Sequence, residues 1–119
     1  MAGDAQSYDL SYLNQVFQGN RALVVHIVEL FLQQVPEYVR MMERNLREGK
    51  FDAIHPLAHK SKSSTSMLGL KELEIILIDI ELSGKAGRYE NMEEKIQLLR
   101  DKLKVCTSNL EMYLARQDN

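Results

Sequence analysis

The stretch IHPLAHKSKSSTSMLGL, residues 54–70, decides the fold because it combines a core-facing pattern with a polar one. At about 100° per residue, two sets of side chains separate onto opposite sides of a helix. The set predicted to face the core is Ile54, Leu57, Ala58, Ser61, Thr65 and Leu68. The polar set, within about 100° of arc, is His55, His59, Lys62, Ser63 and Ser66. We therefore predict a helix over about 52–67 that buries one side and presents two histidines on the other.

Helical periodicity continues on the N-terminal side of this stretch. YDLSYLNQVFQGN, residues 8–20, predicts a short first helix, and Asn20 is placed to cap a long second helix that runs to about Glu48. Pro36 lies inside that second helix and is expected to kink it. The apolar arc of this helix spans roughly 200°, more than one buried face needs, so part of it is a candidate surface either for packing the short first helix or for docking a partner.

The C-terminal side predicts two more helices. Gly69 ends the histidine helix, and a helix with an apolar stripe from Leu70 to Ile80 follows it. SGKAG, residues 83–87, is expected to form a loop. At the other end of the stretch, Asp52 is expected to start the histidine helix. A last helix over about 89–116 carries an apolar stripe with steps of four and three residues. That stripe is Met92, Ile96, Leu99, Leu103, Cys106, Leu110 and Tyr113.

These elements predict an all-α fold. Four substantial amphipathic helices with short connections are typical of an antiparallel up-and-down four-helix bundle, here with a short additional N-terminal helix. The 119 residues suit a single domain over residues 1–119.

Composition narrows the class of function. The 15 basic and 17 acidic residues give a net charge of −2, which offers no global electrostatic attraction for nucleic acid. Cys106 is the single cysteine, so a reducing, cytoplasmic compartment is expected. The first twenty residues lack the layout of a signal peptide, and no apolar run is long enough to span a membrane. The sequence does not decide whether the domain is freestanding or part of a larger protein.

His59 is the stronger candidate for chemistry. A neutral imidazole is a nucleophile near neutral pH, because the ordinary histidine pKa is about 6.5. If His59 accepted a phosphoryl group, Lys62 one turn away would offset its negative charge, and Ser63 or Ser66 would be placed to donate hydrogen bonds. His55 lies in the first turn of the helix, just before Pro56.

Metal and nucleotide chemistry are less well supported. His55 and His59 have the i,i+4 spacing of a metal-binding pair, but two ligands are too few and Pro56 stands where a metalloprotease helix has glutamate. The chain carries no Walker loop and no kinase glycine loop. We therefore predict no bound metal or cofactor and no ATP-dependent kinase activity of its own.

LAHKSKSSTSMLGL, residues 57–70, resembles the motif of histidine-containing phosphotransfer (HPt) domains. Matching positions are Ala58, His59, Lys62, Ser63, Ser64 and Gly69. The resemblance extends over nearly the whole chain, including the lead-in with Pro36 and the turn before the histidine helix. It implies that His59 takes a phosphoryl group from the aspartyl phosphate of one receiver domain and passes it to the aspartate of another.

The resemblance also implies the partners of the domain. They would be response-regulator receiver domains and a hybrid sensor histidine kinase, with Mg²⁺ held by the receiver, and the domain itself would be a monomer. Two positions depart from the family pattern: Ser63 replaces a common glycine, and Ser61 replaces a core leucine or methionine. A buried serine at position 61 would bond back to the carbonyl four residues earlier. The alternative hypothesis is a non-catalytic adaptor that binds a receiver domain or sensor kinase without phosphotransfer.

Overall fold

The computed structural model describes residues 20–117, which form four α-helices joined by short turns. The helices are α1 (Arg21–Arg47), α2 (Ile54–Met67), α3 (Lys71–Lys85) and α4 (Met92–Gln117), and a 3-10 turn, Phe51–Ala53, precedes α2. Each helix packs on the next and α4 packs on α1, so the four close into a bundle. The predicted all-α four-helix bundle is confirmed. The predicted short first helix and its docking against the bundle lie outside the described residues.

The ends of the helices follow the local sequence signals. The Asn20 side chain accepts a hydrogen bond from the Leu23 backbone N–H at 3.1 Å, as predicted for the cap of α1. Gly49 and Gly69 adopt φ values of +73° and +71°, the left-handed conformation that ends a helix at little cost to glycine. The α1 helix is continuous through Pro36.

The start of α2 differs from the prediction. Asp52 does not cap the helix: it lies in the 3-10 turn, and no side chain caps Ala53, the residue that precedes α2. Instead, the Asp52 carboxylate accepts a hydrogen bond from the Tyr89 hydroxyl at 3.1 Å. The Phe51 and Tyr89 rings stack with their centroids 4.9 Å apart. Asp52 therefore contacts the connection between α3 and α4, whereas the sequence had predicted that it starts α2.

The prediction of a loop at residues 83–87 is wrong for Ser83–Lys85, because α3 continues to Lys85. Gly84 is buried, and a Cβ atom there would lie 2.7 Å from the Cβ of His55. This glycine allows α3 to approach α2 closely instead of breaking the helix. The turn itself comes at Gly87, whose φ is +70°.

The core of the bundle contains the faces that the periodicity predicted. All six residues assigned to the inner face of α2 are buried. The α4 stripe is buried from Met92 to Leu110, and Tyr113 is half-buried. The wide apolar arc of α1 is partly covered: Val24, Ile27 and Val28 are buried, whereas Leu23 is exposed and Leu30 is half-buried.

Polar groups within the core are hydrogen-bonded. Ser61 donates to the Leu57 carbonyl at 2.9 Å, the back-bond predicted for this position, and Thr65 donates to the Ser61 carbonyl at 2.7 Å. Burial raises the pKa of the Cys106 thiol to about 11, so this core cysteine stays protonated at neutral pH. Among the helices in the described part of the chain, none has the length and apolar character to cross a membrane.

Candidate functional site

His59 lies in the middle of α2 and points outward. Its side chain is 66% exposed, while its ring is held at one end by Glu81 of α3: Nδ1 lies 2.8 Å from Oε2. Lys62 is one turn further along α2, and Ser63 and Ser66 are exposed on the same side of the helix. The structure therefore brings together the four site residues that the sequence predicted.

Glu81 is the residue that organises the site. Its side chain is only 4% exposed, and both carboxylate oxygens have cationic or potentially cationic partners. Oε1 lies 2.6 Å from Nζ of Lys62, and Oε2 lies 3.3 Å from Nζ of Lys85 in addition to its contact with His59. One buried carboxylate thus links the histidine of α2 to a lysine on each helix.

Opposing effects set the charge of this carboxylate. Burial by itself raises the pKa of Glu81, but hydrogen bonds from Lys62, His59 and Lys85 outweigh it and lower the pKa to about 2. Glu81 is therefore ionised at neutral pH and accepts hydrogen bonds through both oxygens.

The ionised carboxylate fixes the tautomer of His59. Because Glu81 can only accept, the proton of neutral His59 is assigned to Nδ1, which donates it to Oε2. The lone pair of the ring then lies on Nε2, at the exposed end of the side chain. This arrangement leaves a nucleophilic nitrogen facing solvent on a ring whose orientation is fixed from behind.

The two histidines of α2 have different surroundings. His55 is half-buried, and its side chain packs beside Gly84 of α3, so it contributes to the contact between the two helices. His59 is exposed and lies next to an anion and an ammonium group. His59 is therefore accessible beside charged groups, whereas His55 has a packing contact.

Metal binding has no support in the described part of the chain. Within residues 20–117, no three His, Cys, Asp or Glu side chains are arranged to hold a metal ion. The sequence-based expectation of no bound metal or cofactor stays a prediction.

Glu81 and Lys85 were missed at the sequence level, although a signal was present. Glu81 falls on the apolar side of α3, about 40° from Leu77 and 100° from Ile80. An acidic residue on a buried face is costly unless it is paired, so it marks a place where a neighbouring helix supplies cations. The α2 partners of that carboxylate could be identified only after α2 and α3 were placed side by side.

Comparisons with known proteins agree with this geometry. The chain resembles the crystal structure of histidine-containing phosphotransfer protein B (HptB) from Pseudomonas aeruginosa PAO1 with a TM-score of 0.84 and 18% sequence identity, over 94% of this chain and 97% of that one. At that identity the likeness shows the fold. A search of curated protein sequences found no match. The sequence model of the Hpt domain matches residues 26–113, and the chain therefore belongs to the family of histidine phosphotransfer domains that act in phosphorelays.

Proposed function

We propose that His59 is the phosphoacceptor through which this domain performs histidine phosphotransfer. The observation that carries the proposal is the exposed imidazole held through Nδ1 by the buried carboxylate of Glu81, with Lys62 on the other oxygen of the same carboxylate. The donor and acceptor are aspartate side chains of receiver domains, the partners with which Hpt domains work in phosphorelays.

The transfer step balances without a proton leaving the site. The Nε2 lone pair of neutral His59 attacks the phosphorus of an aspartyl phosphate, an N–P bond forms, and the acyl P–O bond breaks with its electrons going to the aspartate carboxylate. The ring keeps its Nδ1 proton and becomes a cation. Glu81, 2.8 Å away, is placed to stabilise that positive charge as it develops.

Lys62 supports the charge on the phosphoryl group. Its side chain is 30% exposed, and its ammonium group stands one helical turn from His59, held by Oε1 of Glu81. The negative charge of a phosphoryl group bonded to Nε2 would attract the ammonium group toward the phosphoryl oxygens. Ser63 and Ser66 are exposed beside His59 and are proposed to contact the phosphoryl group or the docked partner.

The onward step reverses the first one. A carboxylate oxygen of the second receiver attacks phosphorus, the N–P bond breaks, and its electrons return to Nε2 of His59. We propose a hybrid sensor kinase as the source of the donor receiver and a response regulator as the acceptor, with Mg²⁺ bound by the receiver. The cytoplasm is the proposed compartment, and a monomer is the proposed form of the domain.

The adaptor hypothesis is not favoured. A module that only binds would not need a buried anion to orient an exposed histidine and to hold a lysine beside it. The family match points to phosphotransfer as well.

The test is a transfer assay without ATP. The purified domain is mixed with a phosphorylated receiver domain and Mg²⁺, and intact mass is recorded for wild type, His59→Gln and His55→Gln. Wild type and His55→Gln should gain one acid-labile phosphoryl group, and His59→Gln should gain none. Phosphorylation of His59→Gln, or binding of receivers without any covalent transfer to wild type, would contradict the proposal.

A further inference from the structure

A row of exposed apolar side chains runs along the outer side of α4. Leu98 is 47% exposed, Val105 53% and Met112 52%. Steps of seven residues are close to two turns of a helix, so the three side chains lie within about 40° of arc. The buried stripe of α4 lies on the other side of the helix, and this row faces solvent. We call Leu98, Val105 and Met112 the outer row.

The N-terminal end of the outer row borders an acidic cavity. The cavity has a volume of about 540 Å³, and its lining residues are Glu93, Glu94, Gln97, Leu98 and Asp101. Cations nearby on α4 pair with carboxylates of other helices, and these pairs are Lys95–Asp79, Arg100–Glu43 and Lys102–Glu72. The cavity therefore combines an apolar side chain with carboxylates, and it favours an occupant that is both apolar and cationic.

The C-terminal end of the outer row carries side chains of that kind. Arg116 is exposed one turn beyond Met112. At about 100° per residue, Arg116 lies within about 40° of Met112, and Glu94 lies within about 40° of Leu98. One end of α4 thus offers an acidic cavity beside a leucine, and the other end offers an arginine beside a methionine.

A second copy of α4, packed antiparallel with Val105 against Val105, brings these two ends together. Leu98 of each copy then lies level with Met112 of the other, because both are seven residues from Val105. Glu94 lies level with Arg116, because both are eleven residues from Val105. An interface in which each contact occurs twice in this way has two-fold symmetry, the commonest symmetry of homo-oligomers.

The other charges near the outer row agree with the antiparallel arrangement. Asp101 lies level with Asn109 of the second copy, so it meets no carboxylate there. The Lys104 side chains of the two copies come near each other, but they stand about 100° from the centre of the row, where water screens them, and Glu111 lies further round. Parallel packing would instead place Glu94 against Glu94 and Asp101 against Asp101, which is unfavourable.

We infer that the outer row is a self-association surface through which two copies of the domain pair antiparallel. This goes beyond the proposed function and does not depend on it. The row contributes three apolar side chains from each copy, and exposed ion pairs set the direction of packing more than they add affinity. We therefore expect an interface below the roughly 800 Å² per partner of a stable complex, and a dissociation constant on the order of 100 µM. The monomer proposed above is the main form at lower concentrations.

Pairing through α4 leaves the phosphotransfer site open. The α2 helix packs against α1 and α3, and α4 packs against the same two helices from across the bundle. A second copy on the outer side of α4 would therefore lie on the far side of the bundle from His59. Both histidines of the pair stay accessible, so self-association and phosphotransfer can be measured independently.

Sedimentation equilibrium of the domain from about 10 µM to about 1 mM tests the inference. The average mass of wild type should rise from that of one chain toward that of two. Val105→Glu brings two carboxylates together at the centre of the interface and should weaken association at least about tenfold. The matched control is Met67→Glu, which changes an apolar residue of α2 that is 41% exposed and lies across the bundle. This control should associate like wild type.

An exchange of charges tests the antiparallel register. Glu94→Arg alone and Arg116→Glu alone each create two like-charge contacts, and each should weaken association about threefold or more. The variant with both changes restores opposite charges and should return to within about twofold of wild type. Circular dichroism checks that every variant keeps its helix content.

A wild-type chain that stays monomeric at about 1 mM would overturn the inference and leave the outer row to a helix of another protein. Unchanged association of Val105→Glu, or equal weakening by Met67→Glu, would also overturn it. A double charge variant that associates no better than the single variants would overturn the antiparallel register. Each of these results leaves the proposed role of His59 unchanged, because none of the measurements involves phosphotransfer.

Discussion

The two flanks of α3 show how the same kinds of charged side chains can serve different purposes. Toward α4, Asp79 and Lys95 form an ion pair in which the carboxylate is 53% exposed. Toward α2, Glu81 is almost fully buried and has three partners. Water screens the first pair, whereas burial strengthens each interaction of Glu81 and makes its loss costly.

This difference separates a stabilising surface from a site prepared for chemistry. An exposed pair rearranges freely with solvent, so it cannot hold an imidazole in one orientation. A buried carboxylate with both oxygens engaged can do so, because its own position is fixed by the packing of α3 against α2. The flank toward α2 is therefore where we expect substitutions to change both stability and phosphotransfer.

The largest expected effect on stability follows from adding side-chain atoms where α3 approaches α2 closely, at Gly84. Gly84→Val places new atoms where even a Cβ would lie 2.7 Å from the Cβ of His55, and neither helix backbone can yield without moving the other. We expect the free energy of unfolding to fall by about 3 kcal/mol, as for an overpacked core. Urea denaturation measures this loss. Ala86→Val, on the exposed residue just beyond α3, is the control and should change stability by less than about 0.5 kcal/mol.

Removing the charge of Glu81 comes next. Glu81→Gln keeps the shape of the side chain but leaves Lys62, Lys85 and His59 without their shared anion. We expect a loss of about 2 kcal/mol in stability, less than is typical for a broken buried pair because the partners can regain water. The rate of phosphorylation by phosphoramidate should also fall, since Nδ1 is no longer held by an anion. Wild-type stability together with a wild-type rate would show that the two flanks are equivalent after all.

The change of wild-type stability with pH is a second test of the contribution of the Glu81 carboxylate. The pKa of Glu81 is lowered from 4.5 to about 2 on folding, so the unfolded chain takes up the proton first as the pH falls. The stabilisation is complete above about pH 5 and is lost as the pH falls from about 4.5 toward 2, by roughly 2 kcal/mol because the exposed partners screen the site. Urea denaturation of wild type and Glu81→Gln at pH 7, 4 and 3 should give curves that converge on acidification. A constant difference between the two proteins would contradict this assignment.

A smaller and mainly kinetic effect is expected for Lys62. Lys62→Gln removes the ammonium group nearest to His59 but leaves Glu81 paired with Lys85 and His59. We expect phosphotransfer to slow by about tenfold, the equivalent of about 1.4 kcal/mol in the transition state. Stopped transfer reactions followed by mass spectrometry provide the rate. Lys95→Gln, which removes a lysine on the α4 flank, is the matched control and should transfer at the wild-type rate.

The smallest effect is expected on the α4 flank itself. Asp79→Asn weakens an exposed carboxylate–lysine pair and should change the free energy of unfolding by less than about 0.5 kcal/mol. Differential scanning calorimetry of this variant beside Glu81→Gln measures the contrast directly. A loss as large as that of Glu81→Gln would remove the distinction between the flanks.

Sequence periodicity correctly predicted the features that depend on a single helix, such as which of its sides is buried. The inner face of α2, the stripe of α4 and the outward set around His59 follow from spacing alone, because burial of a helix depends on which residues share a side. The same reasoning failed where two helices meet. Residues 83–87 were assigned to a loop because the contact of Gly84 with His55 is a property of the packing. Asp52 was assigned to the start of α2 because its partner, Tyr89, is distant in sequence.

The candidate site shows the same limit. His59, Lys62, Ser63 and Ser66 could be placed on one surface from the sequence of α2. Glu81 could not be placed beside them, because its contact with His59 depends on how α3 packs against α2, including the close approach at Gly84. Glu81, the residue that holds the His59 ring, was therefore visible only as an acidic residue on an otherwise apolar face.

The most direct test of the central claim is nitrogen NMR of the His59 ring before and after phosphorylation. With ¹⁵N-labelled histidine, the neutral ring of wild type should carry its proton on Nδ1, and the phosphorylated ring should show phosphorus coupled to Nε2. In Glu81→Gln the preference for the Nδ1 proton should weaken. A phosphoryl group on Nδ1, or a wild-type ring protonated on Nε2 in its neutral form, would contradict the role assigned to Glu81 and with it the account of the site.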